Sequence, residues 1–325
     1  MAKHVYNSAK TFRQAFTVPN AQALKWFPGH MLKGMERIQA TLKDIDCVVE
    51  VHDARIPISG RNPNFRNILS LRPHLLLLNK ADLVDLNSSQ KETITTMLRS
   101  EGVDTVFFTD LRQFQQNKFL KTRILPKIIE LTESRPRFSR EGLNEFNILV
   151  IGVPNVGKST LINTLRWANL GRKGKASSVG AIAGVTRSVM SKIKVKTEPP
   201  MYIVDTPGIL TPKIPDIETG MRLALCSCLP DYLVEEENIV DYLLYWMNRR
   251  GLFRYVDYYQ MDAPTDSHLE LLAHVAFEKK KVNKVKDVAT NEYKMMPNFK
   301  EAAMIVLKAF REGHLGGFLL DDDKI

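Results

Sequence analysis

The chain has 325 residues, with 44% hydrophobic and 25% charged side chains and a formal net charge of +10. That length exceeds one small core and suggests two domains, and no apolar run approaches the ~18 residues a membrane span needs. The basic excess favours an anionic partner, and three cysteines (Cys47, Cys226 and Cys228) are too few for a disulfide framework or a paired zinc site.

The first acidic residue is Glu36. Before it, residues 1–20 carry Lys3, Lys10 and Arg13 among Ser, Thr and Phe, the composition of a mitochondrial targeting leader. Residues 45–51, 74–79, 104–109, 146–151, 189–196 and 200–205 are short, apolar or β-branched and end at turn residues, so they are expected to be strands. Helical spacing fills the gaps at 88–101, 117–134 and 158–168. The first of these opens on Ser88-Ser89 with Glu92 near N3, a capping-box pattern. Alternation of strand and helix predicts a mostly parallel α/β sheet covered on both faces.

After Gly208 the pattern changes. Pro212 and Pro215 mark a linker, and 216–228, 235–249, 267–281 and 298–312 have helical spacing with no strand among them. The expected organisation is a leader over 1–20, an α/β domain over 21–212 and an all-helical domain over 213–325. Two basic stretches stand out. One lies between Lys158 and Glu198, without an acid; the other is Lys279, Lys280, Lys281, Lys284 and Lys286. Each reads as a solvated face or as a phosphate-binding surface.

Gly152-x4-Gly157-Lys158-Ser159 follows a strand and opens a helix, the context a phosphate loop requires. Backbone amides from Asn155, Val156, Gly157, Lys158, Ser159 and Thr160 would close around phosphate oxygens at a helix N-terminus. Lys158 would neutralise the β- and γ-phosphates, and the Ser159 hydroxyl would ligate Mg²⁺. Asp205-x-x-Gly208 ends a strand, so Asp205 would hold Mg²⁺ through water and the Gly208 amide would reach the γ-phosphate. Thr186, in Gly184-Val185-Thr186-Arg187, is the candidate for a second hydroxyl on Mg²⁺ and hence for a catalytic role beside Lys158.

Asn79-Lys80-x-Asp82 closes the strand His74–Leu78. One carboxylate, Asp82, can accept both the N1–H and N2–H₂ of guanine, a donor pair adenine does not present. Asn79 would bond the base from its other edge, Lys80 would lie along the ring, and a backbone amide at Thr109-Asp110 would meet O6. The guanine reader thus precedes the phosphate loop, the reverse of the usual order. That order predicts a circularly permuted Ras-like P-loop GTPase domain, re-cut in an exposed loop. Ras-like switches place a water-orienting Gln just after Asp-x-x-Gly; here Ile209 stands there and cannot orient water.

These motifs, with Trp26-Phe27-Pro28-Gly29-His30-Met31 and Asp53-Ala54-Arg55-Ile56-Pro57, resemble the circularly permuted ribosome-assembly GTPases of the YlqF/RbgA type across nearly the whole chain after residue 20. With the basic leader, the likeness is to a mitochondrial member. The resemblance implies GTP hydrolysis and a role in maturing the large mitoribosomal subunit. It places the protein in the mitochondrial matrix, with peripheral contact to the inner membrane as an option, and as a monomer off the ribosome. Its helical domain would contact rRNA. The resemblance also implies His30 as the hydrolytic residue and Asn155 as a K⁺ ligand beside the phosphates. Rival readings are a membrane-surface GTP-dependent regulator and a tRNA-modification GTPase.

Overall fold

The computed structural model describes residues 12–17, 29–65, 71–103, 105–112, 119–134, 136–137, 140–171, 192–206, 208–209, 214–286 and 291–325, with backbone alone at 29–33, 64 and 205. Two compact units are present: 25–230 with 318–325, and 1–24 with 231–317.

The first unit opens with helix α1 (Gly29–Thr41). Strands β1 (Cys47–Asp53), β2 (His74–Asn79), β3 (Val106–Phe108), β4 (Phe146–Ile151), β5 (Lys192–Lys196) and β6 (Met201–Asp205) form one sheet in the order β3-β2-β1-β4-β6-β5. Every pairing is parallel except the edge pair β5–β6. The sequence explains this division. β1 and β4 are buried at every position, as strands covered on both faces must be. The edge strand β5, Lys-Ile-Lys-Val-Lys, alternates exposed lysine with buried Ile193 and Val195. Helices α2 (Ser88–Ser100), α3 (Leu125–Glu133) and α4 (Lys158–Leu170) bury one face each.

Renumbered from β4 and wrapped through β1, the sheet reads 6-5-4-1-3-2. Strand order therefore reverses between the parallel β4 and β1, and this switch point is where open α/β sheets bind ligands, at the carboxyl ends of the strands. The expected permuted α/β fold is present. One detail differs: the capping box of α2 is Asn87 with Gln90, not a serine of Ser88-Ser89 with Glu92. The Asn87 side chain accepts from the Gln90 amide at 2.9 Å.

The division between units falls at Pro230/Asp231, later than the 212/213 linker the prolines suggested. Helix α5 (Ile217–Leu225) belongs to the sheet-bearing unit, with Met221, Leu223 and Leu225 buried. The 318–325 segment belongs there as well.

The second unit holds α6 (Asp231–Val234), α7 (Glu236–Arg249), α8 (Arg254–Tyr258), α9 (His268–Glu278) and α10 (Phe299–Arg311). It is not all helical. β7 (Val282–Lys286) and β8 (Tyr293–Pro297) form an antiparallel ribbon that carries Lys284 and Lys286 of the second basic stretch. Part of the acid-free amino-terminal region is folded against this unit. Arg13 donates to both carboxylate oxygens of Asp241 at 3.1 and 2.7 Å, and its amide and Nε reach Asp266 at 2.9 and 3.2 Å. Phe12 packs on Phe253, and Phe16 on Tyr242 and Tyr245, with ring centroids 5.1–5.6 Å apart.

Candidate guanine-nucleotide site

All the motif-bearing loops leave the same end of the sheet, because β1, β2, β3, β4 and β6 run parallel. The loop after β4 is forced into shape by two glycines. Gly152 has φ +147°, and a Cβ there would lie 2.2 Å from the Val51 carbonyl oxygen. Gly157 has φ +110°, and its Cβ would lie 2.3 Å from Asn79 Nδ2. Any larger residue at either place would push the loop off the sheet. Lys158, Ser159 and Thr160 form the first turn of α4. The Lys158 ammonium is buried and donates back to the carbonyls of Gly152 (3.2 Å) and Val153 (2.9 Å), so it sits in the mouth of the loop. Asn155 adopts φ +60°, and its Nδ2 donates to the Ser227 carbonyl at 2.8 Å.

The Asp-x-x-Gly turn packs directly on this loop. A Cβ at Gly208 would come within 2.7 Å of Pro154 N and Cα, which explains the glycine. The Ile209 amide donates to the Gly152 carbonyl at 3.2 Å. Ile209 itself is fully buried, so the position that carries a water-orienting Gln in Ras-like switches is here an apolar anchor. Asp205 ends β6 in register with Val150 on β4, two residues before Gly152. Hydroxyl and carboxylate oxygens, as Ser159 and Asp205 carry, are hard donors that suit Mg²⁺; the Asp205 side chain itself lies outside the described residues. A metal held by such donors would neutralise phosphate charge.

The reader is built differently from the sequence expectation. Asn79 is buried; its Nδ2 donates to the Val156 carbonyl at 2.6 Å and its Oδ1 accepts from the Leu111 amide at 3.0 Å. It therefore pins the phosphate loop to the turn after β3. Lys80 is left-handed (φ +60°), and its ammonium pairs with Asp53 Oδ2 at 2.8 Å. Asp53, wholly buried at the end of β1, also takes a two-pronged contact from Arg55 at 2.9 and 2.8 Å. Burial opposes charge on Asp53, but Arg55 and Lys80 outweigh it and hold the carboxyl well below the usual carboxylate range. Sequence reasoning used Asp53-Ala54-Arg55 only as a family mark. The signal it lacked was that Asp53 and Asn79 stand opposite each other in register.

Asp82 is partly exposed and ion-paired with Arg112, which also donates its amide to Asp110 Oδ1 at 3.0 Å. The Thr109 amide serves the sheet by donating to the Leu78 carbonyl at 2.8 Å, and the Leu111 amide is taken by Asn79. Both amides are thus engaged within the protein. Arg112, a residue the sequence gave no reason to single out, faces the reader carboxylate. His30 lies in the first turn of α1, its side chain outside the described residues; Thr186 and the basic stretch around it also lie outside them.

The chain is similar to known proteins in sequence and in fold. The 50S ribosome-binding GTPase family matches residues 147–286. That span takes in the phosphate loop and the Asp-x-x-Gly turn but not the reader at 79–82, as a permuted chain requires. "Mitochondrial ribosome-associated GTPase 1" of Mus musculus is 46% identical over 97% of this chain and 95% of its own length. The Ictalurus punctatus protein of the same name is 45% identical over 97% and 98%. The chain belongs to the mitochondrial ribosome-associated GTPase 1 family. "Mitochondrial GTPase 1" of Aedes aegypti is 46% identical over 97% of this chain and 99% of its own. Crystal structures of YlqF from T. maritima, GNP-bound and GDP-bound, share the fold at TM-scores of 0.54 and 0.53, with 22% and 23% identity. They cover 87% and 86% of this chain and 95% and 96% of their own. The family and the site agree that the protein is a GTPase with a circularly permuted domain.

Proposed function

We propose that this GTPase acts in the mitochondrial matrix as an assembly factor for the large mitochondrial ribosomal subunit. The observation that carries the reading is the convergence of reader, phosphate loop and Asp-x-x-Gly turn at one sheet edge, in permuted chain order, with α5 following the turn. Loss of a γ-phosphate contact at Gly208 would relax a turn that leads through α5 into the helical unit. The names of the relatives at 45–46% identity support both the ribosome and the mitochondrion.

Mg²⁺ is proposed to be held by Ser159, Thr186 and Asp205, and K⁺ by Asn155. His30 is proposed to position or polarise the attacking water, since imidazole does this near neutral pH and Ile209 cannot. A leader whose removal preserves the Phe12, Arg13 and Phe16 contacts must be cut before Phe12.

The ribbon β7–β8 is the proposed rRNA surface. Lys279 and Lys281 pair with Glu278 (2.8 Å) and Glu301 (2.9 Å). Lys280, Lys284 and Lys286 are exposed, with the Lys284 ammonium 4.5 Å from the Tyr293 ring centre. A peripheral contact with the inner membrane is a second reading, favoured by Tyr293, Met295 and Met296 standing 50–61% exposed beside those lysines.

Cells lacking the protein should accumulate immature large subunits and lose mitochondrial translation, and cross-linking should recover large-subunit rRNA. Normal subunit profiles would refute the assembly role. Flotation with anionic vesicles in place of RNA cross-links would favour the membrane reading. The same sedimentation reads whether free protein is the monomer we infer.

A further inference from the structure

We infer that the 318–325 segment is a clasp that positions the guanine reader, and that Asp321 is its central residue. This rests on the assignment of Asn79–Asp82 as that reader. The segment makes backbone bonds to both loops that build the reader: the Phe318 amide donates to the Leu83 carbonyl at 3.1 Å, and the Leu320 amide to the Arg55 carbonyl at 2.8 Å. Leu83 closes the turn that begins at Ala81, directly after Lys80. Arg55 shares the Asp53 carboxylate with Lys80. Leu319 and Ile325 pack against Ala54, Leu76, Leu78 and Val84, the apolar floor under the same loops.

Asp321 has no exposed surface. Its Oδ2 accepts the amides of Ile58 (2.8 Å) and Ser59 (2.7 Å). Its Oδ1 accepts the Ser59 hydroxyl (2.6 Å) and Arg222 Nη1 (3.1 Å). Arg222, equally buried, comes from α5, the helix that follows the Asp-x-x-Gly turn. Lys324 donates to Ser59 Oγ at 3.0 Å and to Thr219 Oγ1 at 2.9 Å, repeating the link between the 58–59 turn and α5. One buried carboxylate therefore joins the loop beside the reader to the helix beyond the phosphate sensor. A charge buried this deeply is tolerated because four donors satisfy it.

The physical consequence concerns affinity. A reader loop held in its binding pose before nucleotide arrives does not have to be ordered by the nucleotide. The clasp supplies that order from residues reached only after the chain has built the unit 231–317. The chain thus enters that unit after α5 and leaves it into the clasp. Helix α5 and the clasp meet at Asp321, through its bond from Arg222.

The test uses full-length Asp321→Asn, which keeps size but sets an amide NH₂ against a cluster of donors, and a second variant ending at Gly317. Fluorescent-GDP affinity, GTP turnover and hydrogen exchange are measured on both. The clasp predicts GDP binding weakened at least ~5-fold while turnover at saturating GTP stays within about twofold. Exchange should quicken at Ala54, Ala81 and Leu83 and stay unchanged across β4 and β6. GDP affinity within about twofold of the parent, with those amides exchanging faster, would overturn it, as would loss of protection across the whole sheet. Asp82→Asn run in parallel separates the two claims: guanine preference unmoved in that variant defeats the reader assignment itself, whereas a moved preference with unaffected clasp variants defeats only the clasp.

Discussion

At the reader, Asp53 is buried beneath Lys80 and Arg55, and every charge there has a partner a few ångströms away. On the ribbon β7–β8, Lys284 and Lys286 stand in solvent, and Val285, Tyr293, Met295 and Met296 are 48–61% exposed beside them. The same residue chemistry does two jobs. Buried charge fixes backbone geometry and is insensitive to salt, because counter-ions cannot reach it. Exposed charge holds no fold together and is suited to a polyanion, to which it binds by releasing counter-ions. A variant at the reader should therefore cost stability and nucleotide affinity. A variant on the ribbon should cost neither.

The largest effect is expected at Asp53. Asp53→Ala leaves the Arg55 guanidinium buried without its carboxylate and should destabilise the GTPase unit by about 3–5 kcal/mol in urea unfolding. A loss below ~1 kcal/mol would show that the ion pairs are not structural. pH dependence sharpens the point. Because its folded-state value is depressed, the stability Asp53 contributes is complete above the ordinary carboxylate value of about 3.9. It is lost as pH falls through that value toward the lower folded one. Asp53→Ala should accordingly flatten the acid limb of the stability curve.

Next in size is Asp82→Asn, which replaces an acceptor with a donor. It should cost roughly 2–4 kcal/mol in GTP affinity and move preference toward xanthine. Because Asp82 also pairs with Arg112, Arg112→Ala serves as the control that separates loss of the ion pair from loss of base reading. It should leave guanine over xanthine preference in place. His30→Ala should keep GTP affinity within a few fold while turnover drops at least ~10-fold, about 1.4 kcal/mol, measured with the ribosomal partner present. Turnover that survives would make His30 a packing residue.

The smallest effect on the fold is expected at the ribbon. Lys280, Lys284 and Lys286 changed together to Gln should shift unfolding by less than about 0.5 kcal/mol. The same change should reduce the salt slope of rRNA binding by about 2, at ~0.7 per single-strand phosphate contact. An unchanged slope would move the RNA surface elsewhere.

The fold was legible where structure is local. Gly152 and Gly157 announce their loop because nothing larger fits beside Val51 and Asn79, and the parallel core declares itself in the predominantly apolar β1, β2 and β4. The ribbon was not legible. Its strands bury no face, so the period-2 alternation that marks a half-buried strand never arises, and Lys-rich sequence reads as a helix end. Pairings across long chain separations were equally silent. Asp321 with Ser59 and Arg13 with Asp266 are 262 and 253 residues apart, and no spacing rule links them. The basic residue Arg13 fits a targeting leader by composition, yet its role in the folded chain is a two-carboxylate anchor. The Asn79-Lys80 motif is legible in sequence, but the bonds of both residues run to protein atoms that only the assembled sheet brings within reach.

The central claim is that nucleotide state, read at one edge of the sheet, governs engagement of the ribosome. The most direct measurement compares association of the full-length protein with large mitoribosomal subunit particles in a non-hydrolysable GTP analogue and in GDP. The account predicts a difference of about 5- to 150-fold, or ~1–3 kcal/mol, with subunit particles tightening GTP-analogue binding by the same factor. Equal association in the two nucleotide states would contradict it, even for a protein that hydrolyses GTP.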